Sequence, residues 1–115
     1  MANILLADDN LQIREFLTEM LQLDGHTVTS CKDGEEAIQQ LTENHFDLVI
    51  TDIILPKYDG LEIIEKALGK SKIIAMSGDD LLFEKATAAG ANTVMLKDAD
   101  IPGMMAKIAK TLAED

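Results

Sequence analysis

The sequence predicts an α/β domain in which helices cover both faces of a parallel sheet, a doubly wound arrangement. Five short apolar segments recur along the chain, and segments with helical periodicity separate them. Four of the five are nearly continuous in apolar residues, which is typical of strands buried on both faces. Strands that alternate with helices form βαβ units, whose right-handed crossovers place helices on both sides of the sheet.

Each predicted strand follows from its own residues. Residues 4–7 and 73–76 are wholly apolar, whereas the second segment alternates around Val28 and predicts an edge strand. The predicted strands are 3–7, 26–30, 47–51, 72–76 and 93–97.

The predicted helices lie between and after these strands, over 10–24, 33–45, 60–68, 79–89 and 100–113. Gly90 is a suitable C-terminal cap for the fourth helix, and Asp100 followed by Pro102 predicts the start of the fifth. The residues that periodicity assigns to the core faces are Ile13, Phe16, Leu17, Met20, Leu21, Ala37, Ile38, Leu41, Leu61, Ile64, Ala67, Leu68, Leu82, Ala86, Ala89, Ile101, Met105, Ile108 and Leu112.

Length and charge limit the function. The 115 residues fit one domain, and 10 basic against 21 acidic side chains give a net charge of −11. Nucleic acids and anionic membranes need a basic footprint, so neither is expected as a direct partner. The single cysteine, Cys31, cannot form an internal disulfide. No apolar run reaches the ~20 residues of a membrane span. The first residues lack the basic region of a signal peptide, so none is expected. We therefore expect a soluble cytoplasmic domain.

Chemically active side chains follow four of the five predicted strands. They are Asp8 and Asp9 after the first, Asp52 after the third, Ser77 after the fourth and Lys97 at the end of the fifth. Ligand sites of open parallel sheets lie at the carboxyl ends of the strands, so these residues should meet at one edge.

The expected cluster suits phosphoryl chemistry. Three carboxylates repel one another unless they are neutralised, and hard oxygen ligands suit Mg²⁺. A carboxylate can also attack a phosphoryl group to form an aspartyl-phosphate, with a hydroxyl and an ammonium group stabilising the phosphoryl oxygens. Taken singly, each residue has an ordinary explanation as a helix cap, a turn or a surface charge, and only the joint pattern is specific.

The combination resembles a response-regulator receiver domain of two-component signalling, over essentially the whole chain. The matching residues are Asp8-Asp9, Asp52-Ile53-Ile54-Leu55-Pro56 with Asp59-Gly60, Met76-Ser77-Gly78, Gly90-Ala91 and Lys97. The resemblance implies a flavodoxin-like (βα)5 fold with strand order 2-1-3-4-5 and a receiver domain over residues 1–115 without an output domain.

The resemblance also implies a role for each site residue. Asp52 would be the phosphoacceptor, and Ser77 and Lys97 would contact the phosphoryl group. Mg²⁺ would be held by Asp9, by Asp52 and by the main-chain carbonyl of Ile54, with Asp8 acting through water.

The implied function is that of a single-domain response regulator. A sensor histidine kinase or a histidine phosphotransfer protein would donate the phosphoryl group. The chain would catalyse its own phosphoryl transfer and autodephosphorylation and would not be a turnover enzyme. A downstream protein would receive the signal on the face formed by the fourth helix, the fifth strand and the fifth helix.

Surplus apolar residues favour such a docking face. A helix cannot turn Leu81, Leu82 and Phe83 all to the core, nor bury Met104 and Met105 on one stripe. The alternative is that these are scattered exposed apolar residues, which are normal on protein surfaces.

Two other functions remain open. A receiver-like module that binds proteins without phosphorylation is one alternative. An aspartate-nucleophile phosphohydrolase is the other, although such enzymes need a second acid two residues after the nucleophile, where Ile54 stands.

The chain departs from the family pattern at Leu55, where Met is common, and at two positions that matter more for the site. In the family the lysine is usually followed by proline, often across a cis peptide bond, whereas here Asp98 follows Lys97. A cis bond without proline costs ~2.5–4 kcal/mol, so we expect a trans bond or a rearranged loop. Val94 stands where the family usually has Tyr or Phe, a ring that moves inward on activation.

Val94 predicts a muted or different switch, because a small β-branched side chain cannot swing as a ring does. Crystal structures with and without a phosphoryl mimic should show little rearrangement around Val94. A large, aromatic-like repacking there would contradict this hypothesis.

Overall fold

The computed structural model of the chain describes residues 1–97 and 100–114. Strands and helices alternate from the first strand to the last helix, as predicted. The strands are β1 (Asn3–Ala7), β2 (Thr27–Cys31), β3 (Leu48–Asp52), β4 (Lys72–Ser77) and β5 (Thr93–Leu96). The helices are α1 (Leu11–Leu23), α2 (Gly34–Glu43), α3 (Gly60–Ala67), α4 (Phe83–Ala89) and α5 (Ile101–Ala113).

The strands form one parallel sheet in the order β2-β1-β3-β4-β5, which confirms the predicted topology. Every residue of β3 is buried, whereas β2 lies at the edge and is partly exposed. This difference in burial agrees with the continuous apolar run of β3 and the alternating pattern of β2.

The sheet separates two apolar layers. Successive side chains of a strand point to opposite faces, so Ile4 and Leu6 join the layer with α1 and α5, and Leu5 and Ala7 join the layer with α2, α3 and α4. Helices therefore cover both faces, as the sequence predicts.

Two helix faces differ from the predicted stripes. Phe16 is 48% exposed, because α1 reaches the core through Leu17 and Leu21 while Phe16 borders an apolar groove against Ile101 of α5. Leu68 is 54% exposed because it lies just after the last residue of α3, where helical periodicity no longer applies.

The buried stripe of α5 is rotated from the predicted one. Met104 is 4% exposed and lies in the core with Ile108, whereas Met105 is half-buried. The expectation that Met104 contributes to an exposed docking face is therefore wrong. Leu81 is 80% exposed, so it remains a candidate residue of the predicted docking face. Leu82 and Phe83 pack against the core.

The fourth helix starts four residues later than predicted, at Phe83 rather than at residue 79. The segment before it forms a local turn in which the Leu81 N–H donates to Asp79 Oδ1 at 3.0 Å. Such a side-chain-to-backbone turn competes with helix formation. The other helix and strand ends lie within about two residues of prediction, which is the usual uncertainty of element boundaries.

The end of α5 is fastened to the start of β4. The Lys72 ammonium group donates hydrogen bonds to the carbonyl oxygens of Leu112, at 2.9 Å, and Glu114. These carbonyls have no partner within the helix, and a cation there also stabilises the negative end of the helix dipole. In the part of the chain that the structure describes, no helix has the length and apolar character to cross a membrane.

Candidate acidic site at the carboxyl edge of the sheet

Three carboxylates meet at the carboxyl edge of the sheet. Asp8 and Asp9 directly follow β1, and Asp52 is the last residue of β3. One oxygen of each lies within 4.8 Å of the others. Asp8 is fully buried and Asp52 is 6% exposed, whereas Asp9 faces solvent. The predicted convergence of these acids is confirmed.

Lys97 lies between the two buried acids. Its ammonium nitrogen is 2.7 Å from Asp52 Oδ2 and 3.0 Å from Asp8 Oδ2, and it donates to Asp8 Oδ1 at 3.3 Å. Its backbone N–H donates to the Ser77 carbonyl at 2.8 Å, which continues the pairing of β5 with β4. Lys97 thus partly neutralises the repulsion of the acids.

Burial and charge shift the ionisation of this pair. Burial raises the pKa of Asp52, and the nearby charge of Asp8 raises it further, while the hydrogen bond and charge of Lys97 oppose the shift without cancelling it. Burial lowers the pKa of Lys97, but the hydrogen bonds and charges of Asp52 and Asp8 outweigh it, so that its pKa is raised overall. Lys97 therefore stays a cation at neutral pH, and the site disfavours the charge on Asp52.

The backbone around Asp8 is held by a residue that the sequence analysis missed. Arg14, the single arginine of the chain, donates from Nη1 to the Asp8 carbonyl at 2.7 Å. The Asp8 N–H donates to the Cys31 carbonyl, and Asp8 Oδ1 accepts the Asn10 N–H at 2.8 Å. A basic side chain one turn into the helix that follows an acid pair could have indicated this contact.

The loop between β3 and α3 borders the site. The Ile54 N–H donates to Asp52 Oδ1 at 3.3 Å, and the Ile54 side chain is 65% exposed. At the end of the loop the Gly60 N–H donates to the Ile53 carbonyl at 2.8 Å. A Cβ at Gly60 would lie 2.2 Å from the Asp52 carbonyl oxygen, so only glycine fits there.

Ser77 and Val94 lie on the neighbouring strands. Ser77 is buried as the last residue of β4, and its hydroxyl accepts the Asp79 N–H at 3.5 Å. Val94 is half-buried in β5 and packs against the layer of α2, α3 and α4. Asp98, and with it the geometry of the Lys97–Asp98 peptide bond, lies outside the described residues.

The donor set fits a hard divalent cation. Carboxylate oxygens are the ligands that Mg²⁺ prefers. Asp8 Oδ2 is buried and accepts no hydrogen bond from the described residues, although the Lys97 ammonium lies beside it. One ammonium group among three carboxylates leaves the cluster with net negative charge, which a divalent cation would offset.

Comparisons with known proteins agree with this geometry. A model of the response regulator receiver domain family matches residues 4–109. The chain therefore belongs to the family of response regulator receiver domains. In this family Mg²⁺ binds at an acidic pocket, which corresponds here to the Asp8, Asp9 and Asp52 cluster.

Two of the similar proteins are bacterial and are named as a chemotaxis protein and a response regulator. The probable chemotaxis protein CheY of Rhizobium etli is 33% identical over 113 residues, which cover 91% of this chain and 88% of that protein. The response regulator receiver protein CpdR of Brucella abortus is 40% identical over 67 residues, 58% of this chain and 56% of CpdR. The match thus spans little more than half the length of CpdR.

A solved structure of similar fold is that of the response regulator TrrA from Thermotoga maritima in complex with Mg²⁺-BeF. It is 31% identical to this chain, with a TM-score of 0.86, and the alignment covers 96% of this chain and 99% of TrrA.

The raised pKa of Asp52 predicts that Asp52→Asn stabilises the metal-free protein at pH 7. A carboxyl group with a raised pKa in the folded state lowers the free energy of unfolding above that pKa, and this cost disappears as the pH falls below the ordinary value of 3.8. Urea unfolding with a chelator present should therefore show a higher midpoint for the variant at pH 7, and the difference should shrink in acid.

Asp59→Asn is the matched control, because Asp59 caps α3 in an exposed position and asparagine caps a helix equally well. A lower midpoint for Asp52→Asn at pH 7 would show that the Lys97 ion pair outweighs the cost of burying the charge.

Proposed function

We propose that the chain is a response regulator that accepts a phosphoryl group on Asp52 from a phosphohistidine donor. The supporting observation is the buried Asp52 carboxylate, 2.7 Å from the Lys97 ammonium and within reach of the Asp8 and Asp9 oxygens. A sensor histidine kinase or a histidine phosphotransfer protein would be the donor, since both carry the phosphoryl group on imidazole.

Asp52 acts as the nucleophile in this proposal. A carboxylate oxygen forms a bond to phosphorus while the phosphorus–nitrogen bond of the donor breaks, and the imidazole nitrogen takes the electron pair. Lys97 pairs with a phosphoryl oxygen in place of the Asp52 oxygen it now contacts, and Ser77 donates its hydroxyl hydrogen to another.

The acidic cluster holds Mg²⁺ in this proposal, with Asp9, Asp52 and the Ile54 carbonyl as ligands and Asp8 acting through water. When bound, the ion offsets the charge of the phosphoryl oxygens and of the three carboxylates. The protein contributes the fixed positions of these oxygens at the ends of β1 and β3.

The same residues would serve autodephosphorylation, so that the chain is not a turnover enzyme on an external substrate. A phosphohydrolase would need an acid where the exposed, apolar Ile54 side chain stands.

The acidic net charge of −11 favours protein targets over nucleic acid or anionic membranes. We place the protein in the cytoplasm, where histidine kinases expose their phosphodonor domains.

A receiver-like module that acts without phosphorylation is the second candidate. The specific observation in its favour is Val94, which lacks the ring that the family usually moves on activation. The complete set of acids and Lys97 argues against it, because a module that only binds proteins has no use for a buried, mutually repelling cluster.

Incubation with Mg²⁺ and acetyl phosphate tests the two candidates. The parent should gain one phosphoryl group by intact mass, and Asp52→Asn should gain none. Lys97→Met should react about 10²- to 10³-fold more slowly, since one charge that stabilises the transferring group is lost.

No gain in the parent, repeated with a histidine kinase as the donor and with Mg²⁺ binding confirmed, would favour the phosphorylation-independent module. Gain in Asp52→Asn equal to that of the parent would exclude Asp52 as the acceptor.

Output is proposed to pass through the face of α4, β5 and α5. Leu81, just before α4, is 80% exposed, and Leu96 at the end of β5 is 41% exposed. Leu81 follows the end of β4 at Ser77 by four residues, and Leu96 directly precedes Lys97, so a rearrangement at Ser77 or Lys97 would reach them through the backbone. Met104 is excluded from this face because it is buried.

Leu81→Asp should therefore separate signalling from phosphorylation. We expect acetyl phosphate to modify the variant at the parent rate, while complementation of a deletion strain is lost. Leu23→Asp is the control, since Leu23 is 75% exposed at the far end of α1. Full complementation by Leu81→Asp would contradict the proposed output face.

A further inference from the structure

We propose that Lys57 is a positioning residue of the loop between β3 and α3, residues 53–59, which we call the acceptor loop. In this proposal the ion pairs from Lys57 to the start of α2 set how tightly the acidic site binds Mg²⁺. The inference rests on the proposed function. It concerns a lysine outside the acidic cluster that the proposed phosphoryl chemistry does not use.

Lys57 adopts an unfavourable backbone conformation. Its φ is 71°, the one positive value recorded for a residue other than glycine in the described ranges. A residue with a Cβ is strained at such a φ, and the conformation persists only where surrounding contacts hold it. Glycine would avoid this strain, so a lysine at this position points to contacts of its side chain that glycine could not make.

The ammonium group of Lys57 makes contacts that can offset this strain. It lies 3.6 Å from Asp33 Oδ2 and 3.6 Å from Glu35 Oε1. Glu35 is exposed, so its pair contributes little, but the Asp33 side chain is 6% exposed and its charge is less screened by water. The Glu36 N–H bonded to Asp33, together with the Lys57 charge, holds the pKa of Asp33 below its usual range despite burial.

The backbones meet at the same place. The Gly34 N–H donates to the Pro56 carbonyl at 3.2 Å. A Cβ at Gly34 would lie 1.9 Å from the Tyr58 carbonyl oxygen, so the close approach requires glycine. The outer end of the acceptor loop is thus attached to α2 by a backbone hydrogen bond and by the Lys57 ion pairs.

The attached loop carries the residues next to the acceptor. It begins after Asp52 and ends at Asp59, which caps α3, and the Gly60 N–H returns to the Ile53 carbonyl. Within it, the Ile54 N–H donates to Asp52 Oδ1 at 3.3 Å, a long hydrogen bond that small loop movements would break. Lys57 therefore acts on the site through the path of the loop.

Charge and positioning predict opposite effects of Lys57→Met on Mg²⁺ binding. Removing a cation makes the protein more negative, so electrostatics alone would tighten Mg²⁺ binding. Loss of the attachment would loosen the loop and weaken binding, by about tenfold if it resembles other residues that orient metal ligands.

Isothermal titration with MgCl₂ on the full chain measures this difference. We expect Lys57→Met to bind Mg²⁺ about tenfold more weakly and Lys57→Arg to restore most of the affinity. Lys66→Met, which removes the same charge from the exposed part of α3, should bind as tightly as the parent or more so. Binding by Lys57→Met equal to that of Lys66→Met would overturn the proposal.

Amide hydrogen exchange without metal provides an independent readout. The Ile54 amide should exchange severalfold faster in Lys57→Met and in Lys57→Gly, whereas Lys66→Met should match the parent. Lys57→Gly also guards against misfolding, since glycine accepts a φ of 71° without strain. Unchanged exchange at Ile54 in both Lys57 variants would contradict the proposal. Failure of the parent to bind Mg²⁺ would instead contradict the proposed function.

Discussion

The arrangement at the carboxyl edge depends on one electrostatic constraint, the repulsion among Asp8, Asp9 and Asp52. The sheet brings their oxygens within 4.8 Å of one another, and two of the three side chains are buried. Lys97 is the cation that makes this arrangement tolerable, at 2.7 Å and 3.0 Å from the buried pair. One positive charge cannot neutralise three negative ones, so the site keeps an attraction for a further cation.

The supports of the site come from both layers of the fold. Arg14 on α1 holds the Asp8 carbonyl from one side of the sheet, and Lys57 ties the acceptor loop to α2 on the other. Both are long basic side chains in a strongly acidic protein. Two of the 10 lysines and arginines of the chain thus hold the backbone beside the acids.

The sequence pattern predicts both layers and four of the clustered residues, because strand-end positions depend only on short-range pattern and on parallel topology. The strand order comes from the resemblance to the family. The sequence pattern fails at Phe16 and Met104, whose burial depends on the rotation of α1 and α5 about their own axes against the sheet. Arg14 and Lys57 escape prediction for another reason. Arg14 binds a backbone carbonyl, and Lys57 reaches carboxylates at the start of α2 from a backbone position of positive φ. Neither kind of contact leaves a periodic signal in the sequence.

The close approach at Gly34 has an optical consequence. Tyr58, whose carbonyl oxygen occupies the space of a missing Cβ there, is the single tyrosine of a chain that has no tryptophan. The residue is 43% exposed on the loop that follows Asp52. Near-ultraviolet emission from the folded protein therefore originates almost entirely from one ring on this loop. The molecule carries its own spectroscopic label beside Asp52, without the need for an introduced dye.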